Sequence, residues 1–405
     1  AVPGISPVKF FFANGLGANT MNDRLIYLDN AATTFPKPPG VLDRMVEMYG
    51  RLGASPGRGG YDLAMEAEEL VAQTRMKLAH FFGATDPERV VFASNATDAL
   101  NLAIQGIVGP GDHVVSTRLE HNSVLRPLYH LKERGWIDYD LVPFDGQGFI
   151  DPDDVVRAFR PNTRLAVVSH ASNVLGTVQP VPEIARLCAE RNVPLVIDVA
   201  QSAGHVTIDM AAWRVSAVAF TGHKGLMGPT GIGGLVCSPE LNVSSTRFGG
   251  TGVESRSPIH TQTFPHRLEA GTLNLLGIIG LSAGIDYLQI EGVDRLHQRE
   301  MTLFRRLREG LASLPRIVVY GSTPGDCHVP LLVCNVEGFN PSDVGAILDG
   351  DYQILVRTGL HCAPLVHADL GTDPRGAIRF SLASFNTDED IERTLEAMAD
   401  LSGKG

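Results

Sequence analysis

The segments Pro194-Leu-Val-Ile-Asp-Val-Ala-Gln201 and Ala217-Val-Ala-Phe-Thr-Gly-His-Lys224 set the architecture of this chain. Each opens as a short apolar run and closes on polar groups, Asp198 and Gln201 in the first, Thr221 to Lys224 in the second. A short, continuous apolar run marks a strand covered on both faces. Arg89-Val-Val-Phe-Ala93, His113-Val-Val-Ser116, Leu165-Ala-Val-Val-Ser169 and Gly234-Leu-Val-Cys237 have the same character. Between them, residues 64–82, 98–107, 123–134 and 181–191 space their apolar side chains as helices do. Strands alternating with helices predict an α/β fold, a largely parallel sheet sandwiched by helices. Such sheets bind ligands at the carboxyl ends of their strands, and that is where the polar groups of this sequence fall.

The pattern changes after residue 290. A long charged helix over 292–314 leads into short strands at 316–320 and 330–336, a helix at 341–348, a strand at 378–382 and a last amphipathic helix over 388–401. That order predicts a smaller α+β C-terminal domain. The large domain is expected over 28–280, with 21–27 and 281–405 forming the small one. Residues 1–20 hold one Lys and a Phe10-Phe11-Phe12 cluster too short for a secretory signal. They read as a leader or an upstream extension, with a docked N-terminal arm as the alternative.

Composition narrows the class. The 405 residues carry 34 Lys and Arg against 45 Asp and Glu, a net charge of −11, and no basic run marks a nucleic-acid surface. The most apolar stretch, 275–285, is interrupted by Gly277, Gly280 and Gly284 and is shorter than the ~18 residues a membrane span needs. Five cysteines, at 188, 237, 327, 334 and 362, form no CxxC pair. That argues against a disulfide framework or zinc ribbon and for a reducing, cytoplasmic setting.

Lys224 sits between Gly222 and Gly225, with Gly228, Gly231 and Gly233 following; glycines there let the backbone approach a bulky ligand. Alone, the segment fits a surface lysine in a glycine loop equally well. Asp198 ends an apolar strand 26 residues earlier, and a carboxylate there is costly to bury without a cation. A Lys and an Asp at neighbouring strand ends are what a pyridoxal phosphate (PLP) site requires. The Lys condenses with the cofactor's aldehyde, and the Asp keeps the pyridine nitrogen protonated so that the ring withdraws electrons. Ser94-Asn-Ala-Thr-Asp98 opens a helix after a strand and suits either a plain N-cap or a phosphate cradle. His121, in Glu120-His-Asn122 at a third strand end, could stack on the pyridine face.

Together these residues resemble the class V, fold-type I PLP enzymes, and within them the cysteine desulfurases and selenocysteine lyases. The likeness runs from about Tyr27 to Ala397. It rests on Tyr27-Leu-Asp-Asn-Ala-Ala-Thr33, Glu120-His121, Ser172-Asn-Val-Leu-Gly-Thr177, Asp198-Val-Ala-Gln201, Thr221-Gly-His-Lys224, Glu269-Ala-Gly-Thr272, Arg357-Thr-Gly-Leu-His-Cys362 and Arg379-Phe-Ser-Leu382, in that order. The resemblance implies a seven-stranded, mostly parallel sheet in the large domain, with Cys362 and Arg379 carried by the small one. It also implies roles. Lys224 would hold the cofactor covalently, Asp198 would pair with the ring nitrogen, Gln201 would bond the phenolic oxygen and His121 would stack on the ring. Ala96 through its backbone, Thr97, Thr221 and His223 would hold the phosphate. Thr272 would reach the phosphate in the partner subunit of a homodimer. Arg379 would clamp the substrate carboxylate, with Asn173 beside cofactor and substrate and Arg357 in support; the guanidinium fork matches a carboxylate.

The implied reaction converts L-cysteine to L-alanine. The sulfur remains on Cys362 as a persulfide and passes to a sulfur-acceptor protein, for iron–sulfur clusters or other sulfur biosynthesis, and His121 would serve as an acid/base partner. As bare sequence, Cys362 beside His361 admits a reactive and a structural reading. The 17 residues from Cys362 to Arg379 resemble the short-loop, Suf-type (group II) branch. Ala96 in place of a second Thr, Leu360 in place of a His, and Tyr61 after Arg58-Gly59 depart from the pattern of the relatives. A selenocysteine lyase acting on L-selenocysteine, or another class V aminotransferase, is the alternative; an aminotransferase has no need of Cys362. No metal is expected.

Overall fold

The computed structural model describes residues 25–403 apart from 58, 323, 324 and 326. The expected leader at 1–20 and Arg58 lie outside the described residues. After a short strand β1 (Ile26–Tyr27), the central sheet is built from β2 (Val90–Ala93), β3 (Asp112–Thr117), β4 (Ile137–Val142), β5 (Thr163–Ser169), β6 (Leu195–Asp198), β7 (Ala217–Thr221) and β8 (Gly233–Cys237). Their order is β2-β8-β7-β6-β5-β3-β4. The pairs β3/β4, β3/β5, β5/β6 and β6/β7 are parallel, and β8 alone runs antiparallel to its neighbours. The fold is the mostly parallel α/β sheet that the apolar runs predict. Strands β2, β6, β7 and β8 are buried at every residue, because helices cover both faces.

Register brings the polar strand ends to one edge. Ser169 lies opposite Asp198, and Asp198 opposite Ala219. Gly233 pairs with Thr221 on one side and Ala93 on the other. A Cβ on Gly233 would lie 2.6 Å from the Phe220 carbonyl oxygen and 2.8 Å from Asn95 Cα, so only glycine lets the start of β8 slip between these two strand ends.

Two of the departures from the sequence reading bear on the sheet and the site. Strand β4 was not among the apolar runs, since Ile137-Asp-Tyr-Asp-Leu-Val142 is half polar. It is an edge strand whose Asp138 and Asp140 meet Lys132 and Arg160, and charge on an edge blocks pairing with other chains. The glycines of 275–285 do not interrupt anything: Leu275–Glu291 is one continuous helix, and it runs through position 280. A Cβ on Gly284 would lie 2.3 Å from the Leu226 carbonyl oxygen, and one on Gly280 2.7 Å from Pro229 Cδ. The glycines bring the helix against the loop that follows Lys224. Among the described residues, no helix is long and apolar enough to cross a membrane.

The smaller C-terminal domain holds β9 (Ile317–Val319), β10 (Leu331–Val336), β11 (Ile354–Leu355), β12 (Arg357–Gly359) and β13 (Ala377–Ser381). Four of these make an antiparallel sheet in the order β12-β13-β10-β9, while β11 pairs in parallel with β1. Helices Val293–Ser313, Pro341–Tyr352 and Asp388–Gly403 contribute to its own core, with Phe304, Leu332 and Phe380 at the centre. The Asp29–Ser381 bridge draws the segment after β1 onto β13.

Candidate active site

The carboxyl ends of β2, β3, β5, β6 and β7 open onto a cavity of about 310 Å³, within the range of small-ligand sites. Of the residues singled out in the sequence, all but Cys362 and Thr272 line it. Lys224 enters from the turn after β7. That turn is fixed by three donors on the His223 carbonyl: Lys37 Nζ at 2.8 Å, Thr34 N at 3.0 Å and Thr33 Oγ1 at 3.1 Å. Beyond it, Gly225 packs so closely that a Cβ would lie 2.3 Å from the Ala203 carbonyl oxygen. Burial pushes the Lys224 amine down to about 8, Asp198 opposing and the Arg379 and Arg357 charges reinforcing the shift. Asp198, the last residue of β6, accepts from Ala200 N at 2.8 Å. Burial raises its pKa against the pull of that bond and of Lys224. A buried carboxylate so placed is a seat for a cationic ring nitrogen.

A polar cup lies beside them. Asn95 caps helix Ala96–Ile107, accepting from Asp98 N at 3.0 Å. Thr97 Oγ1 lies 2.8 Å from Ser123 Oγ, and Thr221 Oγ1 2.9 Å from His223 Nδ1. Hydroxyls, an imidazole and helix N-terminal amides form a donor set that could hold a phosphate. His121 Nδ1 accepts from Ser123 N at 3.0 Å, so the hydrogen of the neutral ring sits on Nε2. Burial, then Lys224 and three arginines, push His121 down to about 4; it stands at the cavity wall as an uncharged ring. Gln201 Nε2 donates to the Ala31 carbonyl at 3.0 Å.

The opposite wall comes from the C-terminal domain. Arg379, in the middle of β13, pairs across the ladder with Arg357 of β12. Arg379 is 1% exposed. Its Nη2 donates to Asp29 Oδ1 at 2.9 Å and its Nη1 to the Asn173 carbonyl at 3.1 Å, while Nε is buried with no hydrogen-bond partner. Burial lowers its pKa, and Asp29 counters. Two guanidiniums, one with an unspent donor, make a receptor for a carboxylate.

Cys362 lies just outside the cavity, in an adjoining groove that shares Thr97, His121 and Ser123 with it. Arg357 Nη2 approaches its Sγ to 3.8 Å. His361 and Cys362 have φ of 49° and 58°, a left-handed conformation that costs roughly 1–2 kcal/mol per non-glycine residue. Bonds to its two carbonyls hold this turn: Asn173 Nδ2 donates to that of His361 and Asn122 N to that of Cys362, both at 2.7 Å. Asn173 therefore gives one of its two amide hydrogens to the cysteine loop. Thr272 is exposed and lies in a separate groove with Ser55, Arg75 and Glu269.

Sequence reasoning missed several contributors. Ser123 is bonded to both His121 and Thr97 but reads as an ordinary helix residue. Glu120 is buried under the site, accepting from Ser169 N, Ser169 Oγ and Thr117 Oγ1, and burial raises it to about 7. Its place within Glu120-His121 was the available signal. Asp29 is the counter-charge to Arg379 across 350 residues, which no local pattern shows. No group of His, Cys, Asp or Glu that could hold a metal ion occurs among the described residues.

The fold and cavity agree with a family model for aminotransferase class-V, which matches residues 26–394; the chain belongs to that family. A probable cysteine desulfurase of Methanothermobacter thermautotrophicus is 37% identical over 387 residues, covering 94% of this chain and 95% of that protein. An apo cysteine desulfurase from Thermococcus onnurineus NA1 superposes with a TM-score of 0.87 at 35% identity, covering 93% of this chain and 94% of that one. The cysteine desulfurase CsdA of Escherichia coli, in its S-sulfonic acid form, gives 0.84 at 28% identity over 93% and 94%. These three relatives are named as cysteine desulfurases or, in the first case, a probable one.

Proposed function

We propose that this chain is a PLP-dependent cysteine desulfurase, taking L-cysteine to L-alanine and leaving the sulfur on Cys362. The observation that carries this reading is a thiol beside a paired-arginine carboxylate receptor, at the mouth of a cavity that holds a buried amine and acid. The donor set fits PLP: Asp198 for the ring nitrogen, Lys224 for the aldehyde, Gln201 for the phenolic oxygen, and Ala96 N, Thr97, Thr221 and His223 for the phosphate. When bound, PLP supplies the electron sink that loosens the α-proton and the Cβ–Sγ bond of the substrate.

The chain's own groups do the rest. Arg379 Nε and Arg357 take the substrate carboxylate, and Asn173 holds the loop between them and Cys362. Lys224, down at about 8, is a free amine often enough near neutrality to accept the α-proton. The neutral His121 ring, at the cavity wall, would pack against the cofactor and offer its Nε2 hydrogen. The Cys362 thiolate forms an S–S bond to the substrate Sγ as the Cβ–Sγ bond breaks. The bonding pair returns to Cβ, which gains a proton and becomes the methyl of alanine. Cys362 keeps the transferred sulfur as a persulfide for an acceptor protein.

Two further features belong to this reading. Helix Val41–Leu52 exposes Leu42, Val46 and Tyr49, the following helix Leu63, Met65 and Met76, and the 248–259 loop Phe248 and Ile259. Such a surface supports a homodimer in which Thr272 completes the partner's phosphate cup. The 17-residue interval after Cys362 supports a Suf-type, short-loop placement, and the division into residues 28–280 and 21–27 with 281–405 remains our assignment of the domains. Five free cysteines suit a reducing, cytoplasmic location.

Mass spectrometry after exposure of the holoenzyme to L-cysteine tests the reading. One extra sulfur is expected on the peptide containing Cys362, with alanine released, and Cys362→Ala should form neither. Undiminished alanine from Cys362→Ala would exclude the persulfide route and favour another class V reaction. A far higher kcat/KM with L-selenocysteine would assign the site to a lyase instead.

A further inference from the structure

Besides the bonds from Asn173 and Asn122, the left-handed pair His361–Cys362 has a buried side-chain relay beneath it. His361, His367 and Thr372 are 3%, 0% and 8% exposed. His361 Nε2 lies 3.3 Å from the Arg357 carbonyl oxygen. That oxygen can only accept, so Nε2 carries the hydrogen. His361 Nδ1 must then accept, and its partner at 3.2 Å is His367 Nε2. With Nε2 donating, the neutral His367 ring leaves Nδ1 to accept, and Thr372 Oγ1 lies 2.8 Å from it, closer than the 3.3 Å to its other acceptor, the His367 carbonyl oxygen. Burial holds both rings neutral, His361 down at about 2 and His367 at about 4. The chain of donors therefore runs one way, from Thr372 through His367 and His361 to the backbone of Arg357.

This relay ties together the two groups that must meet the substrate. It anchors the carbonyl of Arg357, whose guanidinium faces the Cys362 sulfur. It also fixes the ring of His361, the residue preceding Cys362 in the left-handed turn. Thr372 N and Asp373 N both donate to the His367 carbonyl, at 2.9 and 3.2 Å, so the far end is held by the backbone leading to β13 and Arg379. Neither His367 nor Thr372 borders the cavity.

We propose that His367 and Thr372 are positioning residues for sulfur transfer, acting through His361 to hold Cys362 in its strained, sulfur-accepting turn. The proposal rests on Cys362 being the nucleophile. The relay meets Arg357 only at its backbone carbonyl and leaves Arg379, which carries the unspent Nε donor, untouched, so its mark is a loss in the transfer step and not in substrate capture. A loosened nucleophile can cost up to about 100-fold in rate; His367→Leu, which keeps the volume and removes the donor, is expected to lower kcat by about tenfold or more. KM for L-cysteine should stay within about twofold. His367→Gln can present an amide N–H in place of Nε2–H and should recover most of the rate, while Thr372→Val should lose about threefold.

The test measures kcat, KM and single-turnover sulfur loading of Cys362 in the holoenzyme for these variants and for Cys362→Ala. Wild-type loading in a folded His367→Leu, or failure of His367→Gln to recover any rate, would overturn the relay. If His367→Leu does not fold, Thr372→Val decides: unchanged loading refutes the relay, and slower loading at unchanged KM supports it. Full alanine formation by Cys362→Ala would sink the nucleophile assignment and this proposal with it. A silent His367→Leu beside a dead Cys362→Ala sinks the positioning role alone.

Discussion

The two walls of the cavity are made differently. On the large-sheet side, each polar group stands at or just after the end of a buried strand: Thr97 after β2, His121 after β3, Asp198 and Thr221 as the last residues of β6 and β7, Lys224 three positions on. The sheet register places these groups, and donors from residues 33–37 on the His223 carbonyl complete the Lys224 turn. On the C-terminal side, Arg379 lies in mid-strand, opposite a like charge, and Cys362 sits in a left-handed turn. Those positions are unfavourable alone and persist through Asp29, Asn173, Asn122 and the buried histidines. A parallel sheet offers a ready site at its strand ends; the reacting sulfur and its carboxylate receptor depend on distant partners.

The sharpest way to break this comparison is at its most rigid point. Lys224→Ala should remove alanine formation by an order of 10⁴ or greater, the scale on which a covalent catalytic group acts. The fold should survive, because the register of β6 and β7 does not use the side chain. The same variant should lose the borohydride-reducible yellow colour of the holoenzyme. Retained activity would show that the amine is not the reacting group.

On the other wall, Arg379→Lys keeps the charge and loses the fork. It should lower kcat/KM for L-cysteine by about 100-fold, mostly through KM, as a bidentate receptor is replaced by a point charge. Because Arg379 also spends donors on Asp29 and the Asn173 carbonyl, some of the loss should appear as poorer sulfur loading of Cys362. A change in KM alone would separate the receptor from the cysteine loop, and an unchanged KM would remove Arg379 from substrate binding.

The same contrast explains what the sequence disclosed. Strands β2, β6, β7 and β8 announced themselves because burial on both faces demands unbroken apolar runs, and the residues at or after the ends of β2, β6 and β7 were cavity residues. Strand β4 was silent, since one row of Asp residues faces solvent. The glycines of 275–285 looked like interruptions because their role, contact with Leu226 and Pro229, is tertiary. Arg379 and Cys362 emerged only through family likeness. Asp29, Glu120 and His361 stood inside the quoted motifs without a role, and His367 did not emerge at all: each acts through a partner that no periodicity points to, or in a buried network that propensity does not describe.

The smallest effect expected is one of pH, and it reaches both walls. Burial holds His121, His170 and His223 on the large-sheet side, and His328 and His367 on the C-terminal side, at about 4, below the 6.5 of an unperturbed histidine. Between those values the unfolded chain binds more protons, so the stability these rings contribute is complete above pH 6.5 and is lost as pH falls towards 4. Glu120, raised to about 7, and Asp198, raised by burial, work in the opposite direction, but they are two groups against five. The Tm of the cofactor-free protein should therefore fall between pH 6.5 and 4.5, by about 5 °C or more on the usual conversion of free energy to melting temperature. His170 borders on Ser202 at 3.0 Å and stands outside the cavity, so His170→Gln should flatten the slope without touching the chemistry. A Tm that is level across that window would mean that these rings are not held neutral, and the neutral relay beneath Cys362 would lose its electrostatic basis along with them.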